Sequence, residues 1–248
     1  MNGALAALAF LPGLAIGSFL NVVAARVPAR LSVVSPPSYC PKCSHELAWY
    51  DNVPIVSYLL LRGECRSCHV HIPVKYPLVE LVTALLISAC VLDFGLTPSA
   101  AVSAFFCAVL VTLAVTDLER RIVPNRVVLP AAVLVIASRT IIDHSPVWAI
   151  AAAGGALFLF VFALAYPGGL GMGDVKLALL LGGALGTTLP VGMMIGLVSA
   201  LIPSVVLLAR HGNSARKMKI PLAPFLAFGA LVALFAGHHI LHAYLSLT

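Results

Sequence analysis

Apolar residues fall in long unbroken runs along the chain, not at the 3.6-residue amphipathic spacing of a water-facing helix. A helix needs about 20 such residues to cross the hydrocarbon core of a bilayer. The runs predict eight spans, near residues 3–25, 77–97, 98–116, 127–142, 146–166, 175–189, 191–209 and 221–247. The second and third are parted by the polar break from Asp93 to Pro98, the sixth and seventh by the Gly-Thr-Thr-Leu-Pro turn ending at Pro190. The first run is uncharged and lacks a basic leader, so it is expected to remain as a span and not to act as a cleaved secretory signal.

Composition agrees with a polytopic membrane protein. Of 248 residues, 61% are hydrophobic and 10% charged, with a mean hydropathy of +1.05, whereas soluble domains carry about a quarter charged residues. The formal charge of +6 reads as topology. The loops after odd-numbered spans hold Arg26, Arg30, Lys42, Arg62, Arg66, Lys75, Arg120, Arg121, Arg126, Lys176, Arg210, Arg216, Lys217 and Lys219; only Arg139 lies on the other side. By the positive-inside rule those loops are cytoplasmic and both termini are outside. A nucleic-acid partner is not expected, because no basic patch interleaved with aromatics appears.

Residues 26–76 interrupt the pattern with Pro, Cys and charge. Some 50 residues are too few for a large hydrophobic core, so this segment needs a staple. Cys40-Pro-Lys-Cys43 and Cys65-Arg-Ser-Cys68 have the spacing of a zinc ribbon, in which two knuckles complete an all-thiolate tetrahedral shell. Disulfides are disfavoured on a cytoplasmic face. His69 and His71 are bystanders beside a complete four-cysteine set, and Cys90 and Cys107, inside apolar runs, are read as small hydrophobes. The expected fold is an all-α membrane protein, a polytopic bundle of about eight transmembrane helices. A small cytoplasmic zinc-ribbon-like insertion separates the first two. The domains are 1–25, 26–76 and 77–248.

Nine acidic residues make each carboxylate near a span informative, since burying charge in a bilayer is costly. Asp117 ends the third span and Asp174 begins the sixth, both at the inner edge by the charge count. Two facing carboxylates are the minimum for aspartyl proteolysis: one, ionised, activates water while the other donates a proton. Simple helix capping is the competing reading. Glu80, one turn into the second span, would pair with a base, serve a second site or face a helix dipole; Asp93 and Asp143 are outer-edge loop charges. Gly169-x-Gly171-x-Gly173 is no dinucleotide fingerprint, because its flanks are membrane spans and not a βαβ unit.

Together these motifs resemble the type IV prepilin peptidases, bifunctional leader peptidases of the GxGD aspartyl class. Gly17-Ser-Phe-Leu-Asn21, the two CxxC pairs flanking the run from Trp49 through Asn52 to Ser57, and Tyr76-Pro-Leu-Val-Glu80 are similar to the family's N-terminal region. Asp117 with the following Ile-Val-Pro-Asn, Gly171-Met-Gly173-Asp174-Val-Lys176 and the stretch from Lys219 are similar to its peptidase core. The resemblance implies a bacterial inner-membrane enzyme with Asp117 and Asp174 as the catalytic pair. Its implied substrates are prepilins and pseudopilins of type IV pilus and type II secretion systems, cut after a Gly between a basic leader and a hydrophobic helix. It further implies N-methylation of the new N-terminus from S-adenosylmethionine, with Glu80 as a candidate in the methyl-transfer region. The cysteine cluster favours the bifunctional form. Two other classes compete: an ion- or proton-coupled transporter using Asp117 and Asp174 as relays, and a non-catalytic zinc-stapled assembly platform.

Overall fold

The computed structural model describes residues 2–165, 170–212 and 220–246. Gly169, Arg216, Lys217, Lys219 and the ends of the predicted spans at Tyr166 and Leu247 lie outside the described residues. The chain is helical: α1 Asn2–Arg26, α2 Val56–Leu60, α3 Lys75–Phe94, α4 Pro98–Arg120, α5 Asn125–Asp143, α6 Val147–Ala165, α7 Met172–Leu185, α8 Leu189–His211 and α9 Ala223–Leu245. It divides into two compact units, Met1–Thr112 and Leu113–Thr248, with the division inside α4.

In the first unit α1 and α3 pack antiparallel through small residues. A Cβ on Gly13 would meet Ala84 Cα at 2.7 Å and one on Gly17 would meet Glu80 Cα at 2.6 Å. Without a hydrophobic drive between helices in lipid, such close backbone approach supplies the packing attraction. Asn21 extends the pairing by donating its amide to Tyr76 O (3.1 Å). Cys90 and Cys107, on α3 and α4, are both fully buried with their sulfurs 3.8 Å apart.

In the second unit α7 is the hub, buried along almost its whole length from Val175 to Leu185. Gly182 sits against Ala151 and Ala152, and Gly155 against Ala178 O, so α7 and α6 are antiparallel. Gly183 on Ile136 and Lys176 on Asn125 make α7 parallel to α5. Gly196 packs on Leu226 and Gly237 on Thr188, so α8 is antiparallel to α9.

Seven stretches among the described residues are long and apolar enough to cross a membrane, one of them the 39-residue run Met172–Arg210. That run is a hairpin. Gly186, at φ +55°, follows the end of α7 and opens a three-residue 3₁₀ turn, Gly186–Thr188, after which α8 returns alongside α9. An all-α bundle of seven to eight membrane helices is therefore correct.

The zinc-ribbon expectation is not. A ribbon is a β-fold, and the described residues contain no strand, only the isolated bridges Tyr39–Glu46 and Glu64–His71. Each CxxC turn closes with a single bridge. Pro36, Pro37, Pro41, Pro54 and Pro73 remove donors that a longer ladder would require.

Candidate functional site

Asp117 lies three residues before the end of α4, where its own helix dipole opposes a negative charge by about 0.3–1 kcal/mol. Another helix offsets this. The buried carboxylate accepts a hydrogen bond on Oδ2 from the Ala223 N–H (3.0 Å), the first residue of α9. Pro224, just inside α9, presets the backbone dihedral there and leaves Ala223 as the donor that Asp117 meets.

Asp174 is the third residue of α7. Its Oδ2 accepts the Gly171 N–H (3.2 Å) while its own N–H donates to Gly171 O (3.0 Å), a reciprocal closure of the helix start. The glycines have separate roles. A Cβ on Gly171 would stand 3.3 Å from Asp174 Oδ2, and one on Gly173 would meet Val123 Cβ at 3.0 Å. Gly173 thus lets the turn after α4 lie directly on the start of α7. Lys176 ties the same corner by donating to Asn125 Oδ1 (2.8 Å) at the first residue of α5.

These contacts gather the last turn of α4 and the first turns of α5, α7 and α9 at one end of the unit. Both carboxylates sit at helix ends and both face backbone donors, so the capping reading describes their hydrogen bonds correctly. It does not explain why two acids share one corner of the unit.

The first unit holds a second cluster. The sulfurs of Cys40, Cys43, Cys65 and Cys68 all lie within 4.8 Å of one another, with Cys40–Cys68 at 3.8 Å and Cys43–Cys65 at 4.0 Å. A tetrahedral thiolate shell with metal–sulfur bonds of about 2.3 Å requires sulfurs about 3.8 Å apart. The four donors fit a metal ion. The two knuckles are near copies, offset by 25 residues. Cys40 and Cys65 each donate their N–H at 2.9 Å, to His45 O and Val70 O, and Ser44 and His69 both take positive φ. The backbone N–H groups of Cys43 and Lys42 hold the Cys40 thiol down, at about 6. Those of Cys68 and Ser67 lower Cys65 in the same way. Cys68, although the Val70 N–H favours its thiolate, is pushed up to about 11 by burial and the neighbouring sulfurs. His69 and His71 turn to Glu64 instead (3.4 and 3.8 Å), and Asp51 anchors Arg66 through a 2.7 Å ion pair.

Glu80 is buried against Gly17 and accepts the Ile55 N–H on Oε2 (2.8 Å). Reading the sequence alone missed four partners: Ala223 for Asp117, Val123 for Gly173, Asn125 for Lys176 and Ile55 for Glu80. Only the Leu-Ala-Pro run before Phe225, a helix-start pattern, carried a local signal for the first.

Two family models match successive parts of the chain. A model of the bacterial peptidase A24 N-terminal domain matches residues 11–94, and one of the type IV leader peptidase family matches residues 104–209. A prepilin leader peptidase/N-methyltransferase of Bacillus subtilis (strain 168) is 34% identical over 242 residues, covering 96% of this chain and 97% of that protein. The protein of that name from Pseudomonas aeruginosa is 34% identical over 269 residues, covering 94% and 91%. One from Myxococcus xanthus (strain DK1622) is 49% identical over 128 residues, covering 52% and 38%. No solved structure matches.

Proposed function

The chain belongs to the type IV leader peptidase family, and on that premise we propose that Asp117 and Asp174 are the catalytic pair of a prepilin leader peptidase and N-methyltransferase. The supporting observation is their convergence at one end of the second unit, on the N-termini of α9 and α7. One carboxylate, ionised, takes a proton from water as that water attacks the scissile carbonyl. The other gives its proton to the carbonyl oxygen, and the amine leaves with the proton that the first acid collected. Backbone N–H donors at Ala223 and Gly171 hold the acids in place without competing as proton sources at neutral pH.

The substrate is a prepilin-type precursor cut at the cytoplasmic membrane boundary, after a Gly, between a basic leader and an apolar helix. Segment 26–76 is the methyl-transfer-associated region and 77–248 carries the peptidase. Cys40, Cys43, Cys65 and Cys68 would hold structural Zn²⁺, which on binding would supply the folding energy that this short segment lacks. S-adenosylmethionine would supply the methyl group, with Glu80 in the methyl-transfer region. The cysteine segment and the Asp corner face the cytoplasm in a bacterial inner membrane, and both termini lie outside.

Incubating the detergent-solubilised chain with a prepilin-like peptide tests this reading. Leader release by the wild type, lost in Asp117→Asn and in Asp174→Asn, is the expected result. A wild type that leaves the peptide intact, or a mutant that still cuts it, overturns it.

A further inference from the structure

In a globular domain the apolar stripe of a helix turns inward; in α2 it turns outward. Val56, Leu59 and Leu60 recur at i, i+3 and i+4 and are 52%, 68% and 78% exposed, and Val53 continues the stripe one turn earlier. The opposite side of the same helix faces the cysteine segment, where Tyr58 donates to Ile72 O (3.3 Å). Four neighbouring aliphatic side chains facing away from the protein call for a partner.

Their depth identifies it. Ile55, the residue before α2, donates its N–H to Glu80, whose backbone packs directly on Gly17 of α1. Gly17 lies nine residues before the end of α1 at Arg26, about 13.5 Å along the axis at 1.5 Å per residue. Glu80 lies five residues inside α3, with its side chain leaning back toward the start of that helix. Residue 55 is thus level with the last turns of α1 and the first turns of α3, not beyond their ends. Those helices are membrane spans by length and apolarity. A segment at that level meets the boundary between lipid headgroups and acyl chains.

The backbone is pinned there under strain. Ile55 has φ +60° and ψ −48°, a conformation that a β-branched residue rarely adopts, and its N–H is the group that Glu80 holds. Exposed Arg62 follows the stripe by two residues, so positive charge comes directly after the apolar face, as in helices that lie in an anionic membrane surface.

We propose that Val53–Leu60 is a membrane-seated strap. Its Val56, Leu59 and Leu60 side chains insert into the cytoplasmic-side lipid interface, and the buried Glu80 pins it to the α1–α3 pair. Its partner is the bilayer, on a surface continuous with the lipid-facing sides of those two helices. The proposal rests on α1 and α3 as spans and not on the peptidase reading.

The chain has two tryptophans, Trp49 and Trp148, so Trp49→Phe with Trp148→Phe gives a dark background. Into it goes Leu60→Trp, with Leu59→Trp as an independent second probe. Each full-length variant is reconstituted in vesicles of phosphatidylcholine and phosphatidylglycerol. The expected result is a blue-shifted emission, strong quenching by lipids brominated near the glycerol end of the acyl chain, and iodide quenching several-fold weaker than for N-acetyltryptophanamide. If Leu60→Trp does not reconstitute, Leu59→Trp decides. Full iodide access without lipid quenching overturns the proposal. Shielding that appears only when a prepilin-like peptide is added also overturns it, because the stripe then binds protein. Failure of the wild type to cleave such a peptide would sink the peptidase reading and leave the quenching unchanged.

Discussion

Asp117 Oδ2 lies 3.0 Å from the backbone nitrogen of Ala223, so the carboxylate at the end of α4 also caps the start of α9, 106 residues further along the chain. A structural cap and a reactive acid differ in what they require. A cap needs an accepting oxygen; a protease acid needs exchangeable protons. Asp117→Asn keeps the accepting oxygen and removes the acid. We expect the variant to remain inserted, with stability within about 1 kcal/mol of wild type, while leader cleavage falls by a factor on the order of 10² to 10⁴. Asp174→Asn should behave in the same way. Thermal unfolding in detergent measured alongside peptide cleavage separates the two roles; a parallel loss of stability and activity would reduce both residues to caps.

The Gly173–Val123 contact predicts a compensating pair. A methyl group on Gly173 would press on Val123 at 3.0 Å and push the turn after α4 away from α7. Gly173→Ala is expected to lose most cleavage and about 1–3 kcal/mol of stability. Val123→Ala in the same chain should recover much of both. If the double variant is as inactive as the single one, the glycine acts by some means other than this approach.

Removing metal from the four sulfurs should loosen the first unit and spare the second. Cys40→Ser with Cys43→Ser, or exhaustive chelation of the wild type, is expected to abolish binding of one Zn²⁺ per chain. Methylation should fall more than leader cleavage. Metal content by mass spectrometry and the two activities on one peptide substrate provide the check. Equal retention of both activities without bound metal would remove any functional role for the cluster.

Glu80 and Ile55 allow a test of what the buried acid does. Glu80→Gln retains an oxygen for the Ile55 N–H, whereas Glu80→Ala leaves that donor unpaired at a cost of about 1–3 kcal/mol. If Glu80 serves methyl transfer by holding the strap, Glu80→Gln keeps methylation and Glu80→Ala loses it. Adding Ile55→Gly, which relieves the positive φ, should then recover part of it. Loss of methylation in a stable Glu80→Gln variant would make the carboxylate a proton acceptor in its own right.

Much of this protein is written in local order. Apolar runs near the length of a bilayer core produced the membrane helices, and their edges moved by only a few residues: the run at 127–142 became Asn125–Asp143 and that at 98–116 became Pro98–Arg120. Hydropathy works here because backbone groups in lipid must pair within their own helix. The CxxC spacing likewise picked out four cysteines whose sulfurs gather in one cluster, since each knuckle is closed within six residues. That same spacing misled as to fold. A ribbon and a pair of bridged knuckles share the cysteine pattern and differ only in how many flanking residues form ladders, which the prolines decide.

Only the tertiary structure decided which groups meet. Nothing local tells Asp117 that its donor is Ala223, or Glu80 that its donor is Ile55, because those bonds close loops of 106 and 25 residues. The outward turn of Val56, Leu59 and Leu60 is equally invisible in the sequence, where they read as an ordinary short apolar run. Hydrophobicity along the chain is a sum over neighbours in sequence and so determines which segments enter the membrane. The packing of those segments depends on shape at each glycine and on where a buried polar group finds its partner, and these are fixed only when the helices are side by side.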